Sequence, residues 1–94
     1  MLQVQLADIE AAARVLYAVP APARKAKAQE LCRNARLAHA HRARTGFAHP
    51  RFGNGTLMSA ATKQKSAPRA AFCDRAFVEC LVTIAMVLMN DRDL

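Results

Sequence analysis

The sequence predicts an all-α domain: a small bundle of three to four helices with a glycine-containing loop before a short third helix. Three observations carry this. Alanine, the strongest helix former, supplies 21 of the 94 residues. β-Branched residues are sparse outside the last apolar stretch, which disfavours a sheet. Apolar residues recur at spacings of three and four in two segments, the signature of helices with one buried face. The length suits one domain, residues 1–94, that buries roughly 60–65% of the surface its unfolded chain exposes. Such a core is thin, and a second subunit is a natural source of further burial.

The first helix is expected over residues 8 to 19. Asp8 suits an N-cap, and Ile9, Ala12, Ala13, Leu16 and Val19 form one apolar face. Pro20 stops it, and Pro22 fits the first turn of the next helix. The short Val19–Pro22 link predicts that these two helices pack as an antiparallel hairpin. The second helix is expected from Pro22 to Thr45, with Gly46 as its C′ residue. Ala28, Leu31, Cys32, Ala35 and Ala38 share its core side. Residues 46–55 read as a loop in which Phe47 and Phe52 tuck onto the core and Gly53 and Gly55 permit positive φ. Thr56 is a cap for a short helix from Leu57 to Gln64. The last helix covers about 69–90, or begins after Asp74 as N-cap. Its Ala76–Met89 part is apolar nearly all round, apart from a narrow line of Arg75, Glu79 and Thr83. That pattern predicts a central helix, or a seam between two copies of the chain.

The charge is segregated. The net charge is +7, and residues 24–51 hold all of the excess: eight basic side chains against Glu30 alone. On the second helix, Lys25, Gln29, Arg33, Arg36 and Arg44 lie opposite the core side. Arg42 and Arg51 extend the patch toward the loop. Arginine predominates, which favours bidentate anion binding. Lys25, Arg33, Arg36, Arg42, Arg44 and Arg51 are therefore the candidate nucleic-acid contacts. They would act on the phosphate backbone, DNA more than RNA, in an accessory, regulatory or phage-like packaging role. A basic face also suits an acidic partner protein, so the alternative is an interaction adaptor, or a homodimer formed through the 76–89 helix.

The run from Ala11 to Pro20, followed by His49-Pro50-Arg51-Phe52-Gly53-Asn54-Gly55-Thr56-Leu57-Met58-Ser59-Ala60-Ala61, resembles a family of small uncharacterised alphaproteobacterial proteins. The family's pattern is an alanine-rich helix ending in Val-Pro, then His-Pro-Arg-aromatic-Gly-Asn-Gly-Ser-Leu-Met-Ala-Ala-Ala. Thr56 stands for Ser and Ser59 for Ala. The resemblance implies a shared fold and no site. In size, helicity and charge alone the chain also resembles small phage-type DNA-binding proteins.

Other chemistry finds little support. The 46–55 loop lacks the Gly-Lys-Ser/Thr and the preceding strand of a phosphate-binding loop, and it reads as an ordered connector. His39, His41, His49, Cys32, Cys73 and Cys80 match no compact metal spacing, and the cysteines read as buried free thiols. Neither a catalytic triad nor paired acids are evident, so no enzyme activity and no cofactor are expected. The start, Met1 to Leu6, lacks the features of a signal peptide, and the longest apolar run is short of a membrane span. A cytoplasmic protein with no membrane partner is the expectation.

Overall fold

The computed structural model describes residues 4–67 and 74–90. The protein is all-α. The described helices are α1 (Leu6–Tyr17), α2 (Arg24–Thr45), α3 (Leu57–Thr62) and α4 (Arg75–Asn90), with a 3₁₀ turn at Ala21–Ala23.

α1 begins two residues before the expected position. Gln5, in extended conformation, is its N-cap, and Asp8 is the third helical residue. Asp8 still satisfies the helix start, because its Oδ2 accepts from the Gln5 backbone N–H at 2.7 Å. Its Oδ1 accepts from the Met58 N–H at 2.9 Å, which fastens the start of α1 to α3. Tyr17 ends α1, so Val19 lies beyond the helix. Pro22 sits in the 3₁₀ turn, and α2 starts at Arg24. Gly46 closes α2 in the left-handed region (φ 80°), its N–H donating to Arg42 O at 2.8 Å. Thr56 caps α3 through its Oγ1, which accepts from Ser59 N–H at 3.0 Å. α3 stops at Thr62, short of Gln64. Asp74 caps α4, its Oδ1 accepting from the backbone N–H groups of Ala76 and Phe77 at 3.0 and 3.4 Å. A start near residue 69, and Cys73, lie outside the described residues.

The four helices share one core. Leu16, Val15, Leu31, Leu57, Phe77 and Ile84 are its large members, and Ala12, Ala13, Ala28, Ala35, Ala60 and Ala61 fill the close approaches. α1 packs most extensively on α4 and α3 and less on α2, so the expected α1–α2 hairpin is the weaker of its pairings. α3 and α4 bring Leu57, Phe77 and Ile84 to the core, whereas α2 brings Leu31 and Cys32 together with alanines.

α4 is not enclosed. Phe77, Cys80 and Ile84 are buried, whereas Val78, Val82, Met86 and Met89 are exposed. A 94-residue chain supplies too few helices to surround an apolar one. The polar line is as expected: Arg75 and Glu79 pair at 3.2 Å, and Thr83 Oγ1 donates to Glu79 O at 2.8 Å. Among the described residues no helix is long and apolar enough to cross a membrane.

Candidate functional site

Lys25 and Arg36 are eleven residues apart, about three helical turns, so they share one side of α2. Arg33 flanks that line. The three side chains, with Gln29 and Cys32, line a shallow open groove of about 400 Å³ whose far wall is Val87 and Asn90 of α4. Lys25 and Arg33 are exposed and Arg36 is half-buried. Cys32 forms part of the groove yet is only 1% exposed. Burial pushes its thiol pKa up, against the opposing pull of the Arg36 guanidinium. The thiol is thus neutral at ordinary pH.

The remaining bases of the 24–51 segment divide by what they touch. Arg24 is structural: its Nε donates to Leu16 O at 3.0 Å and Val19 O at 3.2 Å, and its guanidinium lies 6.0 Å over the Tyr17 ring. Lys27 pairs with Glu30 at 2.7 Å. Arg44 is exposed in the last turn of α2, about 28 Å along the axis from Lys25. Arg42 leaves the stripe and donates from Nη1 to Asn54 O in the loop at 3.4 Å. The Arg51 guanidinium stands 5.7 Å over the Phe52 ring. Of the six candidates, then, Lys25, Arg33 and Arg36 meet in one groove. Arg44 continues along the helix, and Arg42 and Arg51 belong to the loop end. Gln29 was legible on the helical stripe. Val87 and Asn90 gave no sequence signal, since only the packing of α4 brings them there.

The 46–55 loop is a densely bonded connector. His49 and Gly53 pair backbone to backbone at 2.7 and 3.1 Å. His49 Nδ1 accepts from the Arg51 and Phe52 N–H groups at 3.0 and 3.2 Å. Asn54 Oδ1 accepts from Thr56 N–H and Oγ1–H, at 3.1 and 2.9 Å. Gly55 has φ 98°, and a Cβ there would lie 2.9 Å from the His39 Cα, so the loop closes directly on the α2 backbone. Phe52 stacks on His49 (4.8 Å between centroids, 17° between planes), and His49 meets His41 edge-on at 5.0 Å. Phe47 does not tuck onto the core as expected but is 75% exposed. It follows the left-handed turn at Gly46 that closes α2, beyond the last buried residue of that helix, Ala38.

Cys32 and Cys80 are buried free thiols, as expected. Burial is also the main reason that the Cys80 thiol pKa is raised. Tyr17 Oη donates to Asp74 Oδ2 across α1 and α4. That bond holds the Asp74 carboxyl below the usual carboxylate range, helped by the Phe77 and Ala76 N–H groups and opposed by desolvation. It also raises the Tyr17 phenol, with desolvation and the Asp74 charge adding to the effect. Among the described residues, no three His, Cys, Asp or Glu side chains gather where a metal ion could be held.

A helical core of small residues carrying a one-sided cationic arm defines a small basic all-α protein. Residues 2–88 match the domain of unknown function DUF7742, and the chain belongs to that family. No curated protein matches it, and no solved structure does.

Proposed function

We propose that this protein is a non-enzymatic module that binds nucleic acid, DNA more than RNA, by the phosphate backbone. The observation that supports this reading is the α2 groove, where Lys25, Arg33 and Arg36 converge. Arg44 continues the line of charge. Between Glu30 and Asp74 the sequence carries no Asp or Glu. Phosphates are doubly matched by such a surface: guanidinium forks bind them in pairs, and the long stripe follows a repeating anion. An accessory, regulatory or packaging role fits a binder that touches the backbone and reads no bases.

The test is the salt dependence of duplex DNA binding. Four cations (Lys25, Arg33, Arg36 and Arg44) give a slope of log K on log salt of about −3.6, a loss of about 150-fold between 50 and 200 mM. Lys25→Gln with Arg33→Gln reduces the slope by about two. Absence of duplex binding at low salt rejects the reading and turns the search to an acidic partner protein.

A second reading concerns assembly and is compatible with the first. Val78, Val82, Met86 and Met89 lie at intervals of four, four and three, a continuous exposed apolar stripe on α4, with Leu6 of α1 also exposed nearby. This supports a homodimer sealed through the 76–89 helix. Leu81 and Leu88 pack against the core, so Val82 and Met86 are the cleaner sites to probe. Met86→Lys converts a dimer to a monomer in sedimentation with the helical spectrum intact. A wild-type monomer at high concentration rejects this reading.

A further inference from the structure

We infer that Phe47 is a stacking platform for an unpaired base, so that the basic arm takes single-stranded nucleic acid with phosphates along α2 and a base on the Phe47 ring. This rests on the polyanion reading above and names the ligand class of that same arm.

The ring is out of place as a core residue. Phe47 is 75% exposed, while every other aromatic ring among the described residues has a neighbour: Tyr17 lies by Phe77, and Phe52 stacks on His49. Its backbone is nonetheless held firmly. Gly46 N–H is bonded into the last turn of α2. Thr45 Oγ1 accepts from Phe47 N–H at 3.2 Å and donates to His41 O at 2.9 Å. The exposed ring therefore stands on a fixed support, and little ordering remains to be done when a flat partner lands on it.

Its chemical setting selects that partner. In the chain Phe47 falls between Arg44 and Arg51, and Arg42 is tethered one turn before the end of α2. The whole stretch from residue 31 to 73 contains no acid. An aromatic face flanked in the chain by guanidinium groups suits the way proteins hold single strands: cations follow the phosphates and a ring receives a base. In a duplex the bases are already stacked and their faces are closed, so Phe47 adds nothing there. The basic stripe binds both forms, and Phe47 discriminates between them.

Fluorescence anisotropy with an oligothymidylate of about 20 nucleotides and a duplex of similar length, both at low salt, tests this. Phe47→Ala weakens single-strand binding by about 5- to 150-fold and leaves duplex binding unchanged. Phe47→Trp restores single-strand affinity. It also provides the sole tryptophan of the chain, whose fluorescence the bound base quenches. Because the ring is exposed, both variants keep the wild-type circular dichroism and melting temperature. Unchanged single-strand affinity in Phe47→Ala, with duplex binding intact, overturns this inference and leaves the phosphate-binding reading standing. Failure of the wild-type protein to bind either probe overturns both.

Discussion

Replacing Asp8 with alanine tests the joint that organises one end of the fold. The Asp8 carboxylate is 6% exposed and holds two backbone N–H groups, Gln5 at 2.7 Å and Met58 at 2.9 Å. Hydrogen bonds to a charged acceptor contribute about 1.5–3 kcal/mol each. A negative charge in the first turn adds about 0.3–1 kcal/mol through the helix dipole. Both bonds are only part-buried, so water recovers some of their loss and the full sum is not lost. A net cost of about 3 kcal/mol follows, a fall in melting temperature of about 12–24 °C for a domain of this size. Asp8→Asn keeps one acceptor oxygen and costs about half as much. Thermal unfolding by circular dichroism measures the total, and amide exchange at Met58 reports the α1–α3 joint itself. If Asp8→Ala melts within about 0.5 kcal/mol of wild type, the range of a plain surface change, or if Met58 keeps its protection, the carboxylate is not the fastening described.

Gly55→Ala destabilises by about 3 kcal/mol, seen in the same thermal assay, because φ 98° is costly for alanine and the new Cβ would meet the backbone of His39 at 2.9 Å. Asp74 has its pKa lowered by folding, so its contribution is present above the ordinary carboxylate range and is lost as pH falls through the depressed value. Tyr17→Phe removes the main cause of that shift, and acid unfolding then begins at higher pH while stability at neutral pH falls. In a Cys73→Ser background, Cys32 and Cys80 react with a disulfide reagent far more slowly in the native protein than in denaturant, because burial both covers them and disfavours the thiolate.

The elements were legible where local chemistry alone decides them. Gly46, Thr56 and Asp74 each do what their type and position predict, since a left-handed closure or an oxygen cap needs only the residue and its next few neighbours. Asp8 shows the limit. Asp suits both an N-cap and a third position that reaches back, and Gln5 is a poor cap by type, so the local signal pointed two or three residues too late. Phe47 was misplaced for a different reason. Hydrophobicity says that a side chain gains from burial, not that the chain has anything to cover it. The α2 half of the groove followed from the spacing of Lys25, Gln29, Arg33 and Arg36, while its α4 wall depends on a tertiary approach that no spacing encodes.

The alanine core links the exposed α4 stripe to the basic arm. Ala12, Ala13, Ala28, Ala35, Ala60 and Ala61 let the helices approach closely but remove little apolar area from water. Much of the larger apolar surface of the described residues, Val82, Met86 and Met89 among it, is left outside. The arm's cations line α2 and its α4-side groove, whereas Val78 and Val82 border Leu6 and Ile9 of α1 on another surface. Under the dimer reading, closing the apolar stripe would therefore leave both arms open. Two arms on one particle bind a long polyanion with an effective concentration that a single arm lacks, provided that both reach it at once. Met86→Lys then has a consequence beyond assembly: it weakens binding to long DNA while leaving binding to a fragment short enough for one arm unchanged. Equal loss on both lengths would show that α4 acts on the arm itself and not through pairing.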